Sequence, residues 1–309
     1  MAAFGPENIC TIIESAKGGS SLNYQKIPLQ AGLYFVGVPI GTARDITLRA
    51  LDVLASADVL AAEDTRSLRR LMEIHGVPLE GRHIVALHDH SGNAVQDKLL
   101  AAIREGKSVA YASEAGMPLI ADPGFELSRA VGEAGLMLTC APGPSAVLTA
   151  LALGGLPTDA FFFAGFLPNA TSARQTALQK LKDVQGTLVF YESPKRLGAM
   201  LKDAASALGP ERAGAVCREL TKKFEEVKRG TLQELCDIYA DKGPKGEIVV
   251  LIDRGRLQSV SETDVTSDLS AALLTHSMRD AVDMVAQAHN LPRRKVYQAA
   301  LELGKGNAS

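Results

Sequence analysis

From Leu33 to Leu153 short apolar runs alternate with stretches patterned as helices, and this alternation constrains the fold more than any other feature. Residues 33–38, 58–62, 83–87, 108–112 and 136–140 read as strands. Between them lies a helix carrying Ile46, Ala50, Leu51 and Leu54 on one side, which Asp45 can cap. A second helix, 66–75, is stopped by Gly76 with Pro78 beyond; a third closes at Gly106; a fourth, around 125–134, ends at Gly135. Strand–helix alternation of this kind predicts a parallel sheet with right-handed crossovers. In such a sheet ligands dock outside the carboxyl ends of the strands.

Three of those strand ends carry backbone-permissive residues. Pro39-Ile-Gly-Thr42 follows the first run, Ser113-Glu-Ala-Gly-Met-Pro-Leu-Ile-Ala-Asp-Pro-Gly124 the fourth, and Ala141-Pro-Gly-Pro-Ser-Ala146 the fifth. Glycine lets main chain approach a ligand closely, and proline fixes its path. The expectation is one small-ligand site walled largely by backbone. Neither GxGxxG nor GxxxxGK[ST] is present, and the loops offer no lysine suited to a polyphosphate. Their chemistry suits adenine, ribose and a zwitterionic tail.

Gly154-Gly-Leu-Pro157 reads as a domain joint. Beyond it the pattern restarts with strands near 161–164, 187–191, 213–217 and 247–252 and a strand-like stretch at 224–228; helices are expected near 172–181, 195–208 and 231–239. The close-spaced later strands suit a mixed sheet. The expected organisation is a disordered lead-in over 1–30, an α/β domain with a parallel sheet over 31–155, a second α/β domain over 156–256, and a helical region over 260–309. In that last region 271–274 and 281–288 read as helical, and Asn290-Leu-Pro-Arg-Arg-Lys-Val-Tyr297 leads into a final helix.

At 309 residues with 46% hydrophobic and 22% charged positions, the chain has the make-up of a globular protein. No run of eighteen apolar residues is present and the start lacks a secretory signal. Cys10, Cys140, Cys217 and Cys236 form no CxxC pair, as expected of thiols in a reducing cytoplasm. A net charge of −2 means that any nucleic-acid contact must use a local basic face.

Two polar clusters follow strands of the first half. Glu63-Asp64-Thr65-Arg66 reads either as a helix cap or as a carboxylate and an arginine facing the cleft. His88-Asp-His-Ser91 reads as polar lining, a turn, or, through its HxH, a metal site lacking an obvious third ligand. In the second half Lys195-Arg196, Arg218, Lys222-Lys223 and Lys228-Arg229 cluster, and Arg293-Arg294-Lys295 follows later; each is a solvated face or a set of phosphate contacts.

Taken together, Val38-Pro-Ile-Gly41, Asp45-Ile-Thr-Leu-Arg-Ala-Leu51, Ala62-Glu-Asp-Thr-Arg66, Ser113-Glu-Ala-Gly-Met-Pro118 with Asp122-Pro-Gly124, Pro142-Gly-Pro144, Gly165-Phe-Leu-Pro168, Tyr191-Glu-Ser193 with Arg196, Arg218-Glu-Leu-Thr221 and Lys245-Gly-Glu247 carry a family resemblance. The chain resembles the tetrapyrrole-methylase superfamily of S-adenosylmethionine-dependent methyltransferases, and within it the bacterial 16S ribosomal RNA 2′-O-methyltransferases that modify a decoding-centre cytidine. Glu114 and Met117 stand where that family usually has Asp and Thr, Asp89 and Ser91 where it has Glu and Asn, and Lys195 where His is common.

The resemblance implies a class III S-adenosylmethionine methyltransferase fold, two α/β domains with a small helical C-terminal region, working as a homodimer on 16S rRNA in the small ribosomal subunit. It implies that Pro39, Gly41, Ser113, Glu114, Ala115, Gly116, Pro118 and Pro144 border S-adenosyl-L-methionine, with Phe166, Leu167, Gly246 and Glu247 from the second domain. Glu63, Asp64 and His88 are candidates for accepting the ribose proton. Arg66 is expected to meet phosphate or the developing oxyanion, and Lys195, Arg196, Arg218, Arg293, Arg294 and Lys295 to meet RNA. Competing readings are a methyltransferase acting on a tetrapyrrole-like small molecule and a non-catalytic ribosome assembly factor that retains the pocket.

Overall fold

The computed structural model describes residues 23–88, 93–240, 243–255, 262–288 and 292–306. They divide into two compact units. One is built from the chain up to Leu153 with Cys217–Glu226, the other from Gly154–Val216 and from Val227 onward.

The first unit holds strands β1 (Gly32–Val36), β2 (Val59–Ala62), β3 (Ile84–Ala86), β4 (Ser108–Ala112) and β5 (Leu138–Ala141) in the order β3-β2-β4-β1-β5. Each recorded pairing is parallel. Helices α1 (Leu48–Ser56), α2 (Thr65–Ile74), α3 (Asn93–Arg104) and α4 (Phe125–Glu133) cover it. Alternate residues of β1 serve opposite layers, as the two-residue strand period requires. Tyr34 and Val36 pack with Leu51 and Leu54 of α1 and Leu68 and Met72 of α2. Leu33 and Phe35 pack with Leu99 and Ile103 of α3 and Leu127 and Val131 of α4. Both faces are therefore buried, which is why the strands read as continuous apolar runs.

This layering creates the crevice. β1 and β4 are hydrogen-bonded neighbours. The chain leaves β1 for α1 on one face and leaves β4 for α4 on the other. Their outgoing loops diverge at the carboxyl edge, which is the topological switch point of an open parallel sheet.

Two expectations need correction. Asp45 does not cap α1: Ala43–Asp45 makes a single 3₁₀ turn, Ile46 is extended, and Thr47 caps instead, its Oγ1 accepting from the Ala50 amide at 3.1 Å. The lead-in does not extend to residue 30. Tyr24 and Leu29 pack on the α1 side of the core, the Gln25 amide donates to Asp52 Oδ1 at 2.6 Å, and the Ile27 amide donates to Ser56 Oγ at 2.9 Å. The remainder of the expected lead-in, residues 1–22, lies outside the described residues. Helix α5 (Ala146–Gly154) was not anticipated; with the sequence AVLTALALG it has no polar face to reveal a period.

The second sheet runs β6 (Phe161–Phe166), β7 (Thr187–Glu192), β10 (Ile248–Ile252), β8 (Ala213–Arg218), β9 (Glu226–Thr231). It is mixed: β6 and β7 are parallel, β7 and β10 antiparallel. Leu188, Phe190, Val216 and Val250 form a core with Leu178 of α6 (Thr171–Lys180), Met200 and Leu201 of α7 (Leu197–Leu208) and Leu235 of α8 (Leu232–Ile238). A buried ion pair joins α6 to α7: Arg174 Nε donates to Asp203 Oδ2 at 2.6 Å. Helices α9 (Glu262–Leu273), α10 (Met278–Ala288) and α11 (Arg293–Gly306) share a core of Leu269, Val282, Val285 and Val296. Among the described residues no helix is long and apolar enough to cross a membrane.

Candidate functional site

The three permissive loops meet. Val38 and Gly116 exchange backbone hydrogen bonds of 2.9 and 3.1 Å, an isolated antiparallel bridge between the loops that leave β1 and β4. Gly116 sits at φ 76°, left-handed backbone that L side chains resist, and a Cβ there would lie 3.3 Å from Ile40 Cγ2. The loop after β5 closes on the same point. A Cβ on Gly37 would fall 2.6 Å from the Gly143 nitrogen, and the Gly143 amide donates to Met117 Sδ at 3.2 Å. Met117 thus supplies an acceptor without the family's usual hydroxyl. Leu119 and Ala121 hold φ of 71° and 63°, strain of the kind that collects at functional sites.

Against this junction lies a cleft of about 550 Å³. Val38, Pro39 and Gly41 line it from the β1 loop, Ser113 and Glu114 from the β4 loop, and Asp64, Arg66, Leu71 and Ile74 from the start and side of α2. Ser113 is buried, and its Oγ has no hydrogen-bond partner among the described residues. A buried hydroxyl without a partner carries a desolvation cost that a ligand can remove. Gly116 and Pro118 are buried, Pro144 is half-buried, and Ala115 is exposed. The lining joins that hydroxyl to the carboxylates of Asp64 and Glu114, the guanidiniums of Arg66 and Arg70, and apolar carbon, and contains no lysine. This set fits a sulfonium nucleoside with an amino-acid tail.

The polar cluster after β2 separates into different jobs. Glu63 Oε2 accepts from the Glu114 amide at 3.1 Å and so anchors the β4 loop. Asp64 is the N-cap of α2, its Oδ1 accepting from the Arg66 amide at 2.8 Å and the Ser67 amide at 3.4 Å. Its Oδ2 takes Arg66 Nη2 at 3.1 Å. Hydrogen bonds from Arg66, side chain first, hold the Asp64 carboxyl below its ordinary value, and the same pairing raises the guanidinium of Arg66. Arg66 nevertheless projects its side chain into solvent at the cleft wall. His88 is exposed beyond β3, while Asp89, His90 and Ser91 lie outside the described residues. Among the described residues no group of three or more His, Cys, Asp or Glu is placed to hold a metal.

In the second unit Phe166 is exposed at the end of β6 and Leu167 is buried; Gly246, at φ 100°, and Glu247 precede β10. Lys195 is exposed. Arg196, expected among RNA contacts, turns inward. Its Nη2 donates to the Leu167 carbonyl at 2.6 Å, its Nη1 reaches Asn169 Oδ1, and its Nε lies 3.2 Å from the buried Glu192 carboxylate. The guanidinium thereby straps the 167–169 turn to the start of α7. Arg218 pairs with Glu226 at 3.3 Å. On α11 Arg293 pairs with Asp283 at 2.5 Å, and Arg294 and Lys295 are exposed.

A five-stranded parallel sheet with a cleft at its switch point places this chain among the open α/β proteins that bind ligands at the strand ends. Residues 32–236 match the family Tetrapyrrole (Corrin/Porphyrin) Methylases, and residues 259–304 match the RsmI C-terminal HTH domain. The chain belongs to the tetrapyrrole methylase family, with the class III methyltransferase fold. A Mesorhizobium japonicum protein named ribosomal RNA small subunit methyltransferase I is 44% identical over 280 residues, 89% of this chain and 93% of that protein. A protein of the same name from Mycobacterium bovis is 41% identical over 276 residues, 89% and 96% of the two chains. The solved structure of uroporphyrin-III C-methyltransferase from Thermus thermophilus, complexed with S-adenyl homocysteine, shares the fold with a TM-score of 0.50 at 19% identity, covering 71% of this chain and 96% of that one.

Proposed function

We propose that this chain is an S-adenosylmethionine-dependent methyltransferase of small-subunit ribosomal RNA, and that its acceptor is the ribose 2′-hydroxyl of a cytidine in 16S rRNA. The observation that carries the reading is the junction of three loops at the β1–β4 switch point around the unpartnered Ser113 hydroxyl. The shared name of relatives that match 89% of the chain supports rRNA over a tetrapyrrole as acceptor. Homodimerisation and a cytoplasmic location belong to the same proposal.

When bound, S-adenosylmethionine supplies a methyl group on a cationic sulfur. What the chain must then do is position an oxygen in line with that group and keep competing water out. Ser113 Oγ holds the ligand, and Glu63 fixes the loop that presents Ser113 and Glu114. Asp64 is occupied by the start of α2, so it orients Arg66 rather than taking a proton. Arg66 at the cleft wall meets backbone phosphate of the acceptor.

The test is transfer of a radiolabelled methyl group to small ribosomal subunits from a strain lacking the enzyme, followed by mapping of the modified residue. Label on a cytidine ribose is the expected result. Label on a base, or on no RNA, overturns the acceptor assignment.

A further inference from the structure

The turn between β8 and β9 is built too carefully for a plain connection. Glu219 and Thr221 hold φ of 50° and 64°, the left-handed region that non-glycine residues seldom occupy. Three bonds keep them there. The Lys222 amide donates to the Glu219 carbonyl at 3.0 Å, the Thr221 amide donates to Glu225 Oε2 at 2.7 Å, and the Glu225 amide donates to the Lys222 carbonyl at 3.1 Å. Leu220 is buried beneath.

The turn is also fastened to the cleft. The Thr42 amide donates to Thr221 Oγ1 at 3.3 Å. A Cβ on Gly41 would lie 2.4 Å from Thr221 Oγ1 and 3.0 Å from the Leu220 carbonyl oxygen, so the missing side chain at Gly41 lets the turn seat against the β1 loop. Gly41 and Val38 line the cleft, which puts the turn beside its mouth.

What this rigid mount presents is an aromatic ring and a cation. Phe224 is 61% exposed, and Lys223 Nζ stands 5.6 Å from the centre of its ring. An apolar ring of that size held in water next to an ammonium offers one surface for a nucleobase and another for phosphate. The neighbouring acidic groups are committed elsewhere: Glu225 to the Thr221 amide, and Glu219 to Lys222 Nζ at 3.1 Å.

We propose that Phe224 and Lys223 form a single-stranded RNA contact at the cleft mouth, in which a base next to the methylated nucleotide stacks on Phe224 while Lys223 neutralises its phosphate. The assignment rests on the rRNA reading given above and adds to it a substrate-positioning element outside the cofactor loops.

The experiment compares wild type, Phe224→Ala, Phe224→Tyr and Lys223→Gln in four measurements: melting temperature, S-adenosylhomocysteine affinity, binding of a fluorescent single-stranded oligoribonucleotide over a salt series, and methylation of undermodified small subunits. Phe224→Ala is expected to weaken oligonucleotide binding and raise KM for subunits about tenfold, with kcat and cofactor affinity unchanged, and Phe224→Tyr to restore both. Lys223→Gln is expected to reduce the salt slope by about one. Unchanged RNA binding in Phe224→Ala, or a loss that comes with lowered cofactor affinity and melting temperature, overturns the proposal. If wild type methylates no subunit RNA while Phe224→Ala still weakens oligonucleotide binding, the acceptor reading falls and the RNA contact stands.

Discussion

The Glu63 carboxylate accepts a hydrogen bond from the Glu114 backbone amide at 3.1 Å, so the residue after β2 holds the loop after β4. This relationship gives Glu63 a positioning role through Oε2. A glutamine keeps the carbonyl oxygen that receives the amide, whereas alanine does not. Glu63→Gln is expected to keep methylation within about threefold of wild type, and Glu63→Ala to lose about tenfold in cofactor affinity. Calorimetric titration with S-adenosylhomocysteine beside steady-state rates checks both; a collapse of kcat alone in Glu63→Gln would return Glu63 to the role of base.

Gly116 tests the junction itself. Gly116→Arg combines a left-handed φ of 76° with a side chain for which even the Cβ is 3.3 Å from Ile40. Cofactor binding should vanish while circular dichroism stays near that of wild type. Normal affinity in this variant contradicts the loop assignment.

Ser113 should give effects of opposite sign. Removing a buried hydroxyl that has no partner among the described residues relieves a desolvation cost, so ligand-free Ser113→Ala is expected to melt at or slightly above the wild-type temperature. The same change should weaken S-adenosylhomocysteine by roughly 0.5–1.5 kcal/mol, the net worth of one hydrogen bond. Melting curves with and without ligand read both signs in one experiment.

Arg196 is predicted to matter for stability more than for RNA. The Glu192 side chain is 1% exposed, and deleting Arg196 removes the cation beside a buried carboxylate that keeps the Ser193 amide as a donor at 2.7 Å. Arg196→Ala is expected to cost about 3–5 kcal/mol in urea unfolding, and Arg196→Ala with Glu192→Gln markedly less. A stable single variant with weakened RNA binding would reverse this view.

Acid should act through Asp58. The Ser108 hydroxyl and amide both donate to Asp58 Oδ2, at 2.6 and 2.8 Å, and lower its carboxyl below the usual 3.8. A carboxyl lowered on folding adds stability above its unfolded value; that share disappears as pH falls through 3.8 towards the folded value. Ser108→Ala is expected to cost about 1 kcal/mol at pH 7 and to flatten the loss of stability below pH 4. Urea midpoints across the acid range measure the slope.

Much of this architecture could be read from residue order. The strand at 108–112 coincides with β4, and the glycine–proline loops after β1, β4 and β5 do approach one another, although only the first two line the cleft. Those signals are local, carried by two-residue periodicity and backbone chemistry. Long-range facts were not visible. Thr221 reaches Thr42 across 179 residues, and no spacing rule couples such positions. Arg196 sits in a basic cluster, and only the fold turns it towards Glu192. Helix α5 escaped because it is apolar on every side. The Asp64–Arg66 pair was legible in both of its guises, cap and cleft wall, and the structure gives it both.

The lone bridge between Val38 and Gly116 has a dynamic consequence. Among the described residues only two backbone–backbone hydrogen bonds join the β1 and β4 loops directly, while β1 and β4 beneath are paired along their whole length. The crevice can therefore unbutton without disturbing the strands. Hydrogen exchange at those two amides should run far ahead of exchange in β4, and slow once the pocket is filled.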